Sequence, residues 1–195
     1  MLLYTQMSAI KISNLVKHFS TRNLFHELSL EVQEGQLLLL TGANGSGKST
    51  LLNIIAGLVK AKGEVNVSKP LRYVSGSAVT DDFLNCEQNI KMWLDKHVNV
   101  TEILNEWGIL ECRKLKSERL SLGQRKRVLL GRSLGNDAAV YLLDEPLLHL
   151  DNSGKECLKK VLMRKLSELK CIVLATHEPE FFDELNPIKL NLNEL

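Results

Sequence analysis

Gly42-Ala43-Asn44-Gly45-Ser46-Gly47-Lys48-Ser49-Thr50 decides how this chain of 195 residues is read. The stretch follows Leu37-Leu38-Leu39-Leu40-Thr41 and precedes Leu51, Leu52, Ile54, Ile55 and Leu58 at helical spacing. An unbroken apolar run of that length suits a strand buried on both faces of a parallel sheet. Gly42 to Ser49 therefore reads as G-x-x-x-x-G-K-S between a strand and a helix N-terminus, the context a phosphate loop requires. Small residues let backbone N–H groups converge on phosphate oxygens, and the positive end of the helix dipole adds to them. Lys48 is placed to reach the β- and γ-phosphates, and the Ser49 hydroxyl to ligate Mg²⁺.

Working outward, the chain reads as strands alternating with helices after a small antiparallel start. Ile10 and Ile12 alternate with Lys11 and Ser13, and Leu28, Leu30 and Val32 alternate with Ser29 and Glu31, which predicts short strands within 8–34. A turn at Lys62-Gly63 leads to a strand at Glu64–Val67. Residues from about 81 to 134 read as mostly helical, with Thr101 as an N-cap and Gly108 as a stop. Ala139–Leu143 and Cys171–Ala175 are two further buried strands, separated by a basic helix over roughly 153–169. The whole of 1–195 is expected to form one α/β domain with a helical subdomain near 81–134, and the chain to end soon after its last strand.

Bulk properties narrow the partners. The net charge is +2 and aromatics make up 5% of the chain, so composition favours neither a nucleic-acid surface nor a base-stacking platform. Cys86, Cys112, Cys157 and Cys171 are scattered without a C-x-x-C pair, which favours reduced thiols acting as buried filler. No apolar run approaches the ~18 residues a membrane helix needs, and the N-terminus is not a signal peptide. Any membrane role is expected through a partner.

Two further clusters carry chemistry. Val140-Tyr141-Leu142-Leu143-Asp144-Glu145-Pro146 ends a buried strand in adjacent carboxylates. Beside a phosphate loop, Asp144 belongs near Mg²⁺ and Glu145 is placed to act as general base on an attacking water. Leu120-Ser121-Leu122-Gly123-Gln124 precedes a run containing Arg125, Lys126, Arg127 and Arg132. Ser121-x-x-Gln124 has the form of a capping box. It reads either as a well-capped helix alone or as a capped N-terminus presenting Ser121 and Gly123 to a γ-phosphate. The basic run itself reads as a solvated face.

With these residues in order, the chain resembles the ATP-binding cassette (ABC) ATPases over nearly its whole length. The resemblance rests on the phosphate loop, on Leu120–Gln124 as the signature with Leu122 in place of its first glycine, and on Val140–Pro146. It also rests on Leu150-Asp151 as the D-loop and His177 as the switch histidine. It implies a P-loop NTPase of the ABC type that binds ATP and Mg²⁺ through Gly42–Thr50, that is Gly42, Ala43, Asn44, Gly45, Ser46, Gly47, Lys48, Ser49 and Thr50. The implied metal contacts are Ser49 and Asp144, and the implied catalytic residues are Glu145, His177 and Lys48. Phe19 falls where the family stacks an aromatic on adenine. A homodimer is implied, in which Ser121, Gly123 and Gln124 of one copy close over the phosphate loop of the other.

The family's glutamine after the strand Leu71-Arg72-Tyr73-Val74 is absent; Ser75-Gly76-Ser77 stands there. Within the family the chain is most similar to the ATP-binding subunit of the haem exporter of bacterial cytochrome c maturation. That implies a separate integral membrane subunit, a peripheral place on the cytoplasmic face of the bacterial inner membrane, and no direct nucleic-acid partner. The competing expectations are the ATPase of another ABC exporter and a soluble, non-transport ABC ATPase.

Overall fold

The computed structural model describes residues 7–19 and 22–194, and the side chains of Phe19, Arg22 and Asn23 lie outside the description. β1 (Ser8–Phe19) and β2 (Arg22–Gln33) pair antiparallel, and β4 (Lys62–Val67) adds to the other edge of β1. These are longer strands than the alternation alone predicts. Irregularities in the β1–β2 register let the apolar face persist past the points where strict alternation breaks.

The second sheet is parallel, in the order β5-β6-β7-β3-β8. Its strands are β3 (Leu37–Thr41), β5 (Leu71–Val74), β6 (Val140–Asp144), β7 (Cys171–Ala175) and β8 (Ile188–Asn191). All five residues of β6 and of β7 are buried. That explains the apolar runs, because a parallel sheet is covered on both faces. β8 was not expected. Only Leu190 and Ile188 mark it as apolar, and as a short edge strand it carries little periodicity.

Side chains alternate between two cores across this sheet. Leu38, Leu40, Val140, Leu142, Val173 and Ala175 face the helix α1 (Lys48–Ile55) and the antiparallel sheet. Leu37, Leu39, Tyr141, Leu143, Ile172 and Leu174 face the opposite side. There α2 (Cys86–Lys91), α3 (Val100–Glu106), α4 (Leu122–Leu134) and α5 (Asn152–Ser167) assemble around buried Trp107.

The stretch from 81 to 134 holds α2, α3 and α4 with two 3₁₀ turns at Leu110–Cys112 and Ser117–Arg119. Asn99, not Thr101, caps α3, since its side chain accepts the Thr101 N–H at 3.0 Å. Asn and Thr are both competent caps, and the helix starts two residues before the sequence pattern marks it. Gly108 stops the helix with φ 62°, as expected. Cys86 and Cys171 are buried, and burial pushes each thiol up to about 12; Cys112 and Cys157 are half-exposed, so they are not full core filler.

Candidate nucleotide site

The loop Gly42–Gly47 turns on three glycines with positive φ, 135° at Gly42, 79° at Gly45 and 108° at Gly47. At Gly47 an added Cβ would lie 2.8 Å from the Leu24 side chain, so glycine is required on both conformational and steric grounds. The Ser46 N–H donates to the Ala43 carbonyl at 3.1 Å and the Leu51 N–H to the Gly47 carbonyl at 2.8 Å, closing the first turn of α1. Lys48 is 7% exposed, and its ammonium donates to the carbonyls of Gly42 (2.7 Å) and Ala43 (3.2 Å). The loop therefore wraps the lysine, which lines a cavity of about 380 Å³. Asn44, Gly45, Ser49, Thr50, Glu145 and His177 share that lining.

The parallel register brings Glu145 and His177 to this cavity, whereas Asp144 is not among its lining residues. Asp144 pairs with Ala175 at the ends of β6 and β7, and the Glu145 N–H continues the ladder to the Ala175 carbonyl at 2.9 Å. His177, just past β7, places Nε2 3.3 Å from Glu145 Oε1. Burial raises the Glu145 carboxyl above the usual carboxylate range, against the opposing pull of His177 and Lys48. Asp144 lies on the face of the sheet that holds α1, and is 6% exposed. Gly76 packs against it, so that a Cβ on Gly76 would come 3.3 Å from Asp144 Oδ2. Ser77 turns to Ser75 instead, hydroxyl to hydroxyl at 3.0 Å.

Ser121, Gly123 and Gln124 do not reach this cavity. They line a separate cleft of about 490 Å³ with Arg127, His149 and Asp151. The capping box is complete: Ser121 Oγ accepts the Gln124 N–H at 3.2 Å, and Gln124 Oε1 accepts the Ser121 N–H at 2.9 Å. Gly123 lies so close to the His149 carbonyl that an added Cβ would approach it to 2.8 Å. Asp151 caps α5 by accepting the Gly154 N–H at 2.9 Å. One chain thus holds Lys48, Ser49, Glu145 and His177 in one cleft and Ser121, Gly123 and Gln124 in another. The side chain of Phe19 lies outside the described residues.

The basic run is not a solvated face. Arg127, with 12% of its side chain exposed, donates to the Trp107 carbonyl at 2.8 Å, to Ser153 Oγ at 2.6 Å and to Asp151. Lys126 donates to the Glu145 carbonyl at 2.9 Å, and Arg132 stacks over Trp93. Only the helical phase relative to the D-loop and β6 distinguishes these residues from exposed ones, and a single sequence does not display it. Two other neighbours were also unforeseen: Leu24 over Gly47, and Asn193, whose Oδ1 accepts the Ala43 N–H at 3.0 Å. Both are brought to the loop from distant parts of the chain.

Comparison with known proteins agrees with this geometry. The family model described as ABC transporter matches residues 25–148. The chain is 33% identical to the cytochrome c biogenesis ATP-binding export protein CcmA of a Chelativorans species, over 91% of this chain and 95% of that protein. It is 28% identical to the CcmA of Vibrio cholerae over 95% and 99% of the two chains. A solved ATP-binding subunit of an ABC transporter superposes with a TM-score of 0.81 at 19% identity, covering 91% of this chain and 82% of that one. No described helix is long and apolar enough to cross a membrane. The chain belongs to the ABC transporter family, as an ATP-hydrolysing subunit.

Proposed function

We propose that this subunit powers haem export in cytochrome c-type biogenesis, as a homodimer bound to a separate integral membrane subunit at the cytoplasmic face of the bacterial inner membrane. The observation that carries the substrate class is the near full-length similarity to relatives named for cytochrome c biogenesis export. The dimer is supported by the two clefts. Ser121 and Gly123 present a helix N-terminus away from the chain's own Lys48, where a second copy's phosphate loop would complete a site. A membrane partner is supported by an exposed apolar surface around a groove between 76–80 and α4, where Val79 and Leu122 are 77% and 62% exposed.

In this reading Gly42–Thr50 cradles the triphosphate of ATP, with Lys48 on the β- and γ-phosphates. The donors present fit Mg²⁺. Asp144 and Ser49 supply one carboxylate and one hydroxyl, and the described residues hold no cluster of three or more metal-ligating side chains. Asp144 and Ser49 are the side chains that would hold the ion. When bound, the ion neutralises charge developing on the γ-phosphoryl group. Glu145 orients the attacking water and takes its proton, and burial raises its carboxyl, which makes it a better proton acceptor. His177, 3.3 Å away, holds that carboxylate on the γ-phosphate side of the cavity.

Lys48→Ala is expected to abolish tight nucleotide binding, and unchanged affinity in a fluorescent-nucleotide titration would contradict the assignment. Glu145→Gln is expected to accumulate an ATP-bound dimer by size exclusion. Purification from membranes with the co-isolated subunit should show a haem absorbance band. A complex that never carries haem, with or without nucleotide, would remove the substrate assignment and leave the ATPase intact.

A further inference from the structure

Lys126 is a buried charge with a narrow purpose. It sits on α4, one turn from the end that carries Ser121 and Gly123, and is 7% exposed. Its ammonium donates to the Glu145 carbonyl at 2.9 Å. Glu145 itself adopts φ 46°, a left-handed conformation that residues with a side chain hold only when their surroundings enforce it. Three hydrogen bonds do so. The Glu145 N–H donates to Ala175 and its carbonyl accepts from the Leu148 N–H at 3.3 Å, both within the sheet end and its loop. Lys126 supplies the third, from the helical side of the molecule.

Burying an ammonium against one neutral carbonyl is unfavourable. Desolvation accordingly lowers the lysine's proton affinity, although the charges of Asp144 and Glu145 oppose this. The carbonyl already has a donor in Leu148, so satisfying it does not require a charge. The other side of the lysine stem lines a groove of about 250 Å³ with Gly76, Ser77, Leu122, Leu129 and Leu148. Lys126 therefore spans from a surface cleft to the backbone of the residue beside Asp144.

We infer that Lys126 is a positioning residue for Glu145, holding the peptide from which the carboxylate is aimed and tying it to α4 and the adjoining groove. The inference rests on the reading of Glu145 as general base. A shift of α4, or of whatever occupies the groove, is passed to Glu145 across a single side chain. This route does not pass through position 77, where serine stands in place of the family's glutamine.

Lys126→Met tests it, since it keeps length and apolar packing and removes only the donor and charge. The melting temperature is expected to stay close to wild type, because the desolvation cost of the ammonium and its attraction to Asp144 and Glu145 are lost together. Turnover is expected to fall about 10- to 100-fold, as when reacting groups are displaced by about 1 Å, with KM for ATP nearly unchanged. Amide exchange across 145–148 should quicken, and Lys126→Arg, which keeps a donor, should recover part of the turnover. Wild-type turnover in a folded Lys126→Met protein overturns the inference. So does a parallel loss of melting temperature and turnover that arginine does not rescue, because a purely structural lysine behaves that way. Glu145→Gln is measured beside it. If that variant hydrolyses ATP normally, the assignment of the base fails, while exchange across 145–148 still decides whether Lys126 holds the peptide.

Discussion

Replacing Arg127 by methionine should destabilise the fold far more than removing its ionic partner. The guanidinium joins three segments: the end of α3 through the Trp107 carbonyl, the D-loop through Asp151, and the start of α5 through Ser153. These contacts are unequal. Trp107 is 1% exposed, so its carbonyl loses a charge-assisted donor that water does not readily replace, a loss of about 1.5–3 kcal/mol. The Asp151 side chain is 69% exposed, which discounts the ion pair to about 0–1 kcal/mol.

The total of about 2–4 kcal/mol corresponds, at roughly 2–4 °C per kcal/mol for a chain of this size, to a fall of about 4–16 °C in melting temperature. Asp151→Asn should cost only ~1 kcal/mol or less, since an amide oxygen still accepts from Gly154. The ordering of causes agrees. The carboxyl of Asp151 is held below its usual range first by the Gly154 N–H and only then by Arg127. Thermal melts followed by circular dichroism on both variants decide the matter. Equal losses would show that the ion pair carries the stability, and a melting temperature within about 2 °C of wild type for Arg127→Met would refute the assignment to the buried carbonyl.

Two further outcomes follow from the site. Burial raises the Glu145 carboxyl in the folded state, so the fold binds that proton more tightly than the unfolded chain does. The stabilisation from the protonated form is complete below the unfolded carboxyl value, about 4.3, and is lost as pH rises through the raised folded value. Glu145→Gln should therefore melt higher than wild type near neutral pH, with the margin closing as pH falls; a pH-independent margin in a melting series would disprove the linkage. Gly123→Ala pushes a methyl to 2.8 Å from the His149 carbonyl, a backbone atom that does not yield by rotating. A loss of about 1–3 kcal/mol is expected, with weaker ATP-dependent dimerisation measured by sedimentation. A stable variant that dimerises normally would show that the D-loop accommodates the contact.

The parts of the site legible in the sequence are those whose chemistry is local. Gly42–Ser49 announces itself because strand, loop and helix are contiguous, and Ser121 with Gln124 because a capping box spans four residues. Asp144 and Glu145 are visible at the end of an apolar run, and the approach of His177 to Glu145 follows once β6 and β7 are neighbours. Contacts made across the fold are hidden. Asn193 meets Ala43 after 150 residues, on a C-terminal segment placed by the short strand β8. Lys126 and Arg127 look like solvent-facing charges until the rotation of α4 is known. A single sequence gives helical period, but it does not give which stripe of a basic helix turns inward.

The alternation of β6 between two cores carries a consequence for inheritance of mutations. Leu142 belongs to the nucleotide half and Tyr141 to the helical half, although one peptide bond joins them. A saturation library across Val140–Asp144 would then sort by odd and even positions. Lesions at 140 and 142 should loosen the phosphate loop and its helix, and those at 141 and 143 should loosen the seating of α4 and its neighbours. The strand is a two-sided partition wall, and each half of the machine can drift in sequence while the other is held in place.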